Sequence, residues 1–226
     1  MSYRTGPKIV TDGLVLCLDA ADRNSYPGTG STWGDLSGNG NNGTFGALTA
    51  APTFSSSNGG CIVFDGDNDY IDCGNVSFSS NAFSLEVIFK WDDYNTSNIS
   101  FLVAGNNEAL EIHTRSPNGL RFIPYDYPDN GFLDVNNIID PGINHVIFTA
   151  NQSTTSKAYK DGQLFGTSST TSSLTLSSSQ SVTIGRRTSG IYYFDGNVYL
   201  VRIYNKVLSP YEALQNYEAT KGRFGL

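Results

Sequence analysis

Charge is scarce in this chain. Charged residues make up 15% of its 226 positions, acidic residues outnumber basic ones 21 to 14, and the formal net charge is −7. A chain this acidic is repelled by nucleic acid and by anionic membrane surfaces unless its cations cluster. The only adjacent pair, Arg186-Arg187, is too little for a phosphate groove, so neither partner is expected. Cys61 and Cys73, twelve residues apart, with only two His in the chain, do not assemble into the roughly four-ligand set of a zinc site. No apolar run reaches the roughly 18 residues that span a bilayer. The first twenty residues lack a long apolar stretch with a small-residue cleavage site, so no secretory signal is expected. The Asn-x-Ser/Thr matches at Asn42, Asn75, Asn95, Asn98 and Asn151 therefore carry no expectation of glycosylation.

What fills the chain is Gly, Ser, Thr and Asn, with thirteen Tyr and thirteen Phe. This composition favours short strands joined by turns over a helix bundle. The length suits one all-β unit, 1–226. Strand signals recur from the GLVLCLDA segment, near 13–19, to the NVYLVRIYN segment at 197. The clearest is FSLEVIFKW at 83: Leu85, Val87, Phe89 and Trp91 share one face, while Ser84, Glu86 and Lys90 share the other with Ile88. Asp161-Gly162 between two short alternating runs predicts a two-residue hairpin turn with positive φ at both centres. Ser209, Pro210 and Glu212 predict a capped helix, stopped by Gly222. The Ser/Thr-rich tract from Gly166 to Ser181, with Leu174 and Leu176 alternating, reads as a polar edge strand with loops.

The stretch CIVFDGDNDYIDCG at 61–74 admits several readings. As an antiparallel hairpin closing at Phe64 and Tyr70, it sets Cys61 opposite Cys73 on one apolar face with Val63 and Ile71. With no export signal, the two thiols and Cys17 are expected to stay reduced and pack as small apolar groups. The acidic tip does not match an EF-hand, because Tyr70 and Val76 occupy its sixth and twelfth positions. It reads as a solvated turn or as a structural calcium site of another kind. Asp35, in a Gly/Asn-rich loop, and Asp65 and Asp67 are the candidate Ca2+ ligands. Paired carboxylates for glycan hydrolysis would need rigid elements in a cleft, which a turn tip does not offer. No Gly-x-Ser-x-Gly elbow accompanies His113 or His145, and both histidines read as structural.

Two loop-like stretches carry the chemistry that reads sugars, aromatic faces beside Arg, Asp and Asn. One, at 121–130, holds Arg121, Tyr125, Asp126, Tyr127, Asp129 and Asn130, stiffened by Pro124 and Pro128. The other, at 186–197, holds Arg187, Tyr192, Tyr193 and Asn197. The same tyrosines would also suit contacts between subunits.

Taken together, the segments GLVLCLDA at 13, WGDLSGNGNNGT at 33, IVFDGDNDYI at 62, FSLEVIFKW at 83, HVIFTA at 145, YKDGQLFG at 159, IGRR at 184 and the run from 194 to 226 resemble the concanavalin A-like, laminin G-like jelly-roll family. That resemblance implies a two-sheet antiparallel sandwich with a short C-terminal helix. The stretches at 9–45 and 214–226 resemble virion structural or tail proteins of tailed bacteriophages. This second resemblance implies a non-enzymatic virion component, assembled in the host cytoplasm, with a lectin-like domain. Its partners would be other virion proteins, further copies of itself and a glycan. The alternatives are a purely structural decoration or connector protein, or a glycan hydrolase or lyase. Tyr199 and Leu200 stand where many relatives carry an Asp-Glu pair. The calcium acids of the pentraxin branch have no counterpart in 184–196. Glu86 with Asp92, and Glu108 with Glu111, do not match the acid spacing of the laminarinase branch. Fold resemblance does not settle function.

Overall fold

Alternating side chains need two dry layers, and the chain supplies them. The computed structural model describes residues 6–79, 81–93, 99–106, 109–115, 118–124, 132–151, 155–168 and 178–226. Along it run β1 (Leu14–Asp19), β2 (Thr32–Trp33), β3 (Gly43–Phe45), β4 (Thr53–Ser55), β5 (Cys61–Asp65), β6 (Ile71–Ser77), β7 (Ala82–Trp91) and β8 (Phe101–Ala104). There follow β9 (Glu111–Arg115), β10 (Gly119–Ile123), β11 (Leu133–Val135), β12 (Asn144–Asn151), β13 (Ser156–Lys160), β14 (Gln163–Ser168), β15 (Ser179–Ile184), β16 (Asp195–Tyr204) and the helix α1 (Pro210–Phe224). Sheet A has the order β14-β13-β12-β7-β16-β5-β4, with β1 also pairing β16; sheet B has the order β11-β10-β9-β8-β15-β6-β3-β2. Every pairing is antiparallel. This is the expected all-β, two-sheet jelly-roll sandwich with one C-terminal helix.

The core lies between the sheets. Leu85, Val87, Phe89 and Trp91 of β7 enter it from sheet A, and Ile112, Leu120 and Phe122 from sheet B. Phe122 stacks on Phe148 at 4.9 Å and meets Phe83 edge-on at 5.9 Å, the geometries aromatic quadrupoles prefer. The hairpin between β13 and β14 turns on Asp161 and Gly162, with φ of 51° and 74°. The capping box is present: Glu212 N donates to Ser209 Oγ at 3.2 Å and Ser209 N to Glu212 Oε2 at 2.8 Å. The helix does not stop at Gly222. It continues to Phe224 and ends on Gly225, whose φ of 74° is left-handed and whose N–H reaches Lys221 O. A glycine within a helix is tolerated; only one past its end makes the left-handed cap.

Two further expectations are corrected. The runs flanking the acidic turn do not form a hairpin. β5 lies in sheet A between β4 and β16, and β6 lies in sheet B between β3 and β15. The turn curls on itself: Asp67 N and Asn68 N donate to Asp65 Oδ1, and Asp65 N donates to Asp69 Oδ2. The chain thereby passes from one sheet to the other across the edge of the sandwich. Cys61 packs on the outward side of sheet A with Tyr199 and Phe224, whereas Cys73 lies in the central core. They share no face, and all three cysteines are free and buried. The Gly166–Ser181 tract is also split. Gly166–Ser168 close β14, an edge of sheet A, but β15 is interior, between β8 and β6. Leu174 and Leu176 lie outside the described residues.

The outward side of sheet A is closed as well. Glu86 and His145 are fully buried and Arg202 nearly so. Arg202 Nη1 donates to Glu86 Oε1 at 2.9 Å, His145 Nε2 lies 3.0 Å from the same oxygen, and Asn216 Nδ2 of α1 donates to Oε2 at 2.7 Å. Asn216 Oδ1 accepts from Val10 N at 2.8 Å, so one carboxylate ties helix and N-terminal segment to the sheet. Burial by itself would raise the Glu86 pKa, but Arg202 and the His145 hydrogen bond prevail and hold it at about 2. The folded state therefore keeps this proton off until well below the value of 4.5 expected in the open chain. Stability from Glu86 is complete above pH 4.5 and is lost as pH falls toward 2. Glu86→Ala should cost about 3–5 kcal/mol by leaving a buried guanidinium unpaired, measured by urea unfolding at pH 7. Glu86→Gln should flatten the acid limb of stability against pH.

Candidate functional site

With sheet A covered, the outward face of sheet B is where side chains can meet a ligand. Antiparallel register sets Phe101 opposite His113, His113 opposite Arg121, and Arg121 opposite Asp134. This row crosses β8, β9, β10 and β11 on the side away from Ile112, Leu120 and Phe122. Arg121 donates through Nε and Nη2 to Asp134, both at 2.6 Å, and lies 4.0 Å over the Phe132 ring. A bidentate pair of this kind fixes the guanidinium plane.

The second sugar-reading stretch is delivered to the same place. Gly185 ends β15 with φ of 87°, and a Cβ there would sit 2.3 Å from Phe64 Cε1, so only glycine lets the chain pass. Beyond it a tight loop closes, with Gly190 N donating to Arg187 O and Arg187 N to Ile191 O. Tyr193 Oη donates to Gly190 O. Tyr192 holds a left-handed φ of 60°, and its carbonyl accepts from Phe101 N at 3.0 Å. Its ring stacks on Phe101 at 5.8 Å with planes 28° apart. Arg187 Nε lies 3.3 Å from Glu111 Oε1. A cleft of about 250 Å³ results, lined by Phe101, Tyr192, Arg187, Arg121, Glu111, His113 and Arg115 among others.

Arg121, Arg187 and Tyr192 are thus brought together, although 66 or more residues separate Arg121 from the other two. Tyr193 faces an adjoining hollow of about 730 Å³ with Asp65, Asp93 and Asp195, which shares Ile99 and Tyr192 with the cleft. Tyr125, Tyr127 and Asn130 lie outside the described residues. Phe101, Glu111, His113 and Arg115 were not read as ligand contacts from the sequence. Their signal was the alternation in EIHTR, with polar residues at 111, 113 and 115 around Ile112. A third hollow, about 560 Å³ near Asn41, Tyr70 and Asp72, offers less, because Arg186 already covers the Tyr70 ring at 3.5 Å.

The calcium candidates do not fit a cation site. Asp35 Oδ1 accepts from Cys17 N and Ser37 N, and Oδ2 from Ser37 Oγ and Asn41 N, all at 2.7–3.0 Å. That carboxylate is spent on ordering its loop. Asp65 Oδ1 is likewise taken by two backbone N–H groups, and Asp67 is exposed on the turn. Among the described residues no group of three or more His, Cys, Asp or Glu side chains is placed to hold a metal.

The fold defines a concanavalin A-like sandwich. Residues 65–213 match the Concanavalin A-like lectin/glucanases superfamily, and the chain belongs to that family. No curated protein matches its sequence. Among solved structures it is similar to Trypanosoma rangeli sialidase in complex with 2,3-difluorosialic acid. That likeness has a TM-score of 0.67 at 18% identity and covers 96% of this chain and 35% of that one. It is similar to the binding domain of Botulinum neurotoxin DC in complex with SialylT, with a TM-score of 0.63 at 15% identity, covering 92% and 51%. It is also similar to domain 4 of AbnA, an extracellular arabinanase from Geobacillus stearothermophilus, in complex with arabinotriose. Here the TM-score is 0.61 at 18% identity, covering 90% and 98%. The chain spans about a third of the sialidase's length, and these identities establish shared fold alone.

His113 is the titratable group at the cleft floor. Burial first, and then repulsion by Arg121, Arg115 and Arg187, lower its pKa from 6.5 to about 3. The imidazole is neutral at all ordinary pH. The unfolded chain takes up this proton at higher pH than the folded one, so His113 favours unfolding as pH falls from 6.5 toward 3. Its ring carbons, followed by NMR, should show no titration between about pH 5 and 8, a window in which an ordinary histidine changes charge.

Proposed function

We propose that this chain is a non-enzymatic, lectin-like virion protein of a tailed bacteriophage that binds glycans in the cleft on sheet B. The observation that carries the glycan reading is the Phe101–Tyr192 aromatic pair, set beside the fixed guanidinium planes of Arg121 and Arg187. Aromatic faces receive the C–H side of a pyranose and the forked donors reach its hydroxyls. Tyr192 is 47% exposed, so its ring is accessible, and its backbone is locked to β8. Such preorganisation lowers the entropy cost of binding. Domain 4 of AbnA, of similar extent and fold, is seen with arabinotriose. The virion setting is supported by the resemblance of the segments at 9–45 and 214–226.

Binding without turnover agrees with the histidines. His145 is engaged by Glu86 beneath α1, and His113 rests neutral against Phe101 at 4.7 Å. Among the described residues, neither is hydrogen-bonded to a serine or cysteine.

A second reading is self-association, favoured by Leu164 and Phe165, which are 55% and 44% exposed on the edge strand β14. An apolar edge of this kind invites pairing. Light scattering separates it: a monomer at all concentrations removes this reading, while a dimer lost in Phe165→Lys supports it. For the first, a glycan array should give signal that Tyr192→Ala reduces by about tenfold or more, with the fold intact by circular dichroism. No signal across the array, or signal indifferent to Tyr192→Ala, overturns the glycan reading. Mass spectrometry of purified particles tests the virion setting, which falls if the protein is absent from them.

A further inference from the structure

The proposed glycan cleft is electrically lopsided. Three guanidiniums, from Arg115, Arg121 and Arg187, line the pocket on sheet B. Two are matched by carboxylates, Arg121 by Asp134 and Arg187 by Glu111. Arg115 ends β9 half-buried and has no ion-pair partner among the described residues. Among the described residues one positive charge is therefore in excess inside a concave, partly dry site, in a chain whose net charge is −7. A protein with few cations has placed three at one cleft, where low-dielectric walls strengthen their field.

A second observation points the same way. His113 is only 6% exposed, lines the cleft, and its Nδ1 has no hydrogen-bond partner among the described residues. A buried polar atom left unmatched costs free energy, and here it sits among the three arginines, open to a polar group of a ligand. The adjoining hollow has the opposite sign, with Asp65, Asp93 and Asp195 on its wall. Burial first, then repulsion from Asp92, Asp93 and Asp65, raises the Asp195 pKa, the field expected of crowded carboxylates. The two regions meet at Ile99 and Tyr192.

We infer that the cleft selects acidic saccharides, seating a carboxylate or sulfate ester of the sugar against Arg115 while the ring lies on Tyr192. This inference rests on the glycan reading and adds to it the class of sugar and the direction in which it lies. The acidic hollow repels the anionic substituent, so the charged group turns toward Arg115 and the neutral part of the chain runs past Tyr192. A guanidinium suits the task because its planar fork matches both oxyanions.

Calorimetric titration of the full chain tests this with two matched pairs of probes. One pair is polygalacturonate and its carboxyl-reduced form; the other is a sulfated galactan and its desulfated form. In at least one pair the neutral member should bind about tenfold more weakly or worse, about 1.4 kcal/mol, and the responding pair tells carboxylate from sulfate. Arg115→Ala should erase that preference, bringing the acidic member down about tenfold toward its neutral partner, and keep the melting midpoint. Lys157→Ala, on sheet A, should change nothing, which separates a site from general attraction to polyanions. Equal binding within both pairs overturns the inference, as does an Arg115→Ala effect that Lys157→Ala reproduces. If Tyr192→Ala still abolishes binding in that outcome, glycan binding stands without charge selection. Failure of all four probes to bind overturns the inference, and a silent glycan array beside it removes the glycan reading too.

Discussion

The Glu86 carboxylate is the point on which the architecture turns. It is wholly buried in the middle of sheet A and meets a strand neighbour on each side, Arg202 of β16 and His145 of β12, together with Asn216 of the helix. A charge taken out of water is tolerated only when its lone pairs are matched. Those partners are supplied by three separate parts of the chain, and Val10 joins through Asn216. The network specifies where α1 and the N-terminal segment lie and closes the outward face of sheet A. One consequence is geometric: with both faces of sheet A covered, a ligand finds open side chains on the outward face of sheet B.

What could be read from the sequence was what is decided locally. The alternation of Leu85, Val87, Phe89 and Trp91 reports a core face because the pleat has a period of two. Asp161-Gly162 and Ser209-Pro210 announce their turn and cap through conformations that few other residues favour. Gly222 was misread for the converse reason, since a glycine marks a helix end only where a left-handed residue is required. Pairing is not local. β5 and β6 both alternate and are joined by a short polar turn, so a hairpin was the economical reading. The structure instead pairs β5 with β4 and the distant β16, and β6 with β3 and the distant β15, and spends the turn on crossing between sheets.

The site divides along the same line. Arg121, Arg187 and Tyr192 were visible as sugar-reading chemistry, because an arginine beside exposed aromatics is unusual in a chain this poor in charge. That they form one cleft was not visible. It follows from β15 lying next to β8, so that the loop after Gly185 falls on the face where β9 and β10 present their side chains. Phe101, His113 and Arg115 went unread because outward residues of a sheet look like any solvated face until the sheet order is known. Asp35 looked like a cation ligand for its glycine- and asparagine-rich surroundings, yet those surroundings supply donors, and the carboxylate serves the loop.

The arrangement also explains how a cleft made mostly of side chains can be rigid. Arg121 is held by two hydrogen bonds to Asp134 beside it and by the Phe132 ring beneath its guanidinium. Arg187 is tethered to Glu111, and Tyr192 is held by its own carbonyl to β8. Each is fixed by a partner on a strand and not by loop packing, so the donors and the aromatic platform keep their spacing without a ligand. Arg115 differs in standing at a strand end with no ion-pair partner among the described residues. On the acidic-saccharide proposal, the paired cations set the frame of the cleft and Arg115 is the one left to meet the ligand's anion.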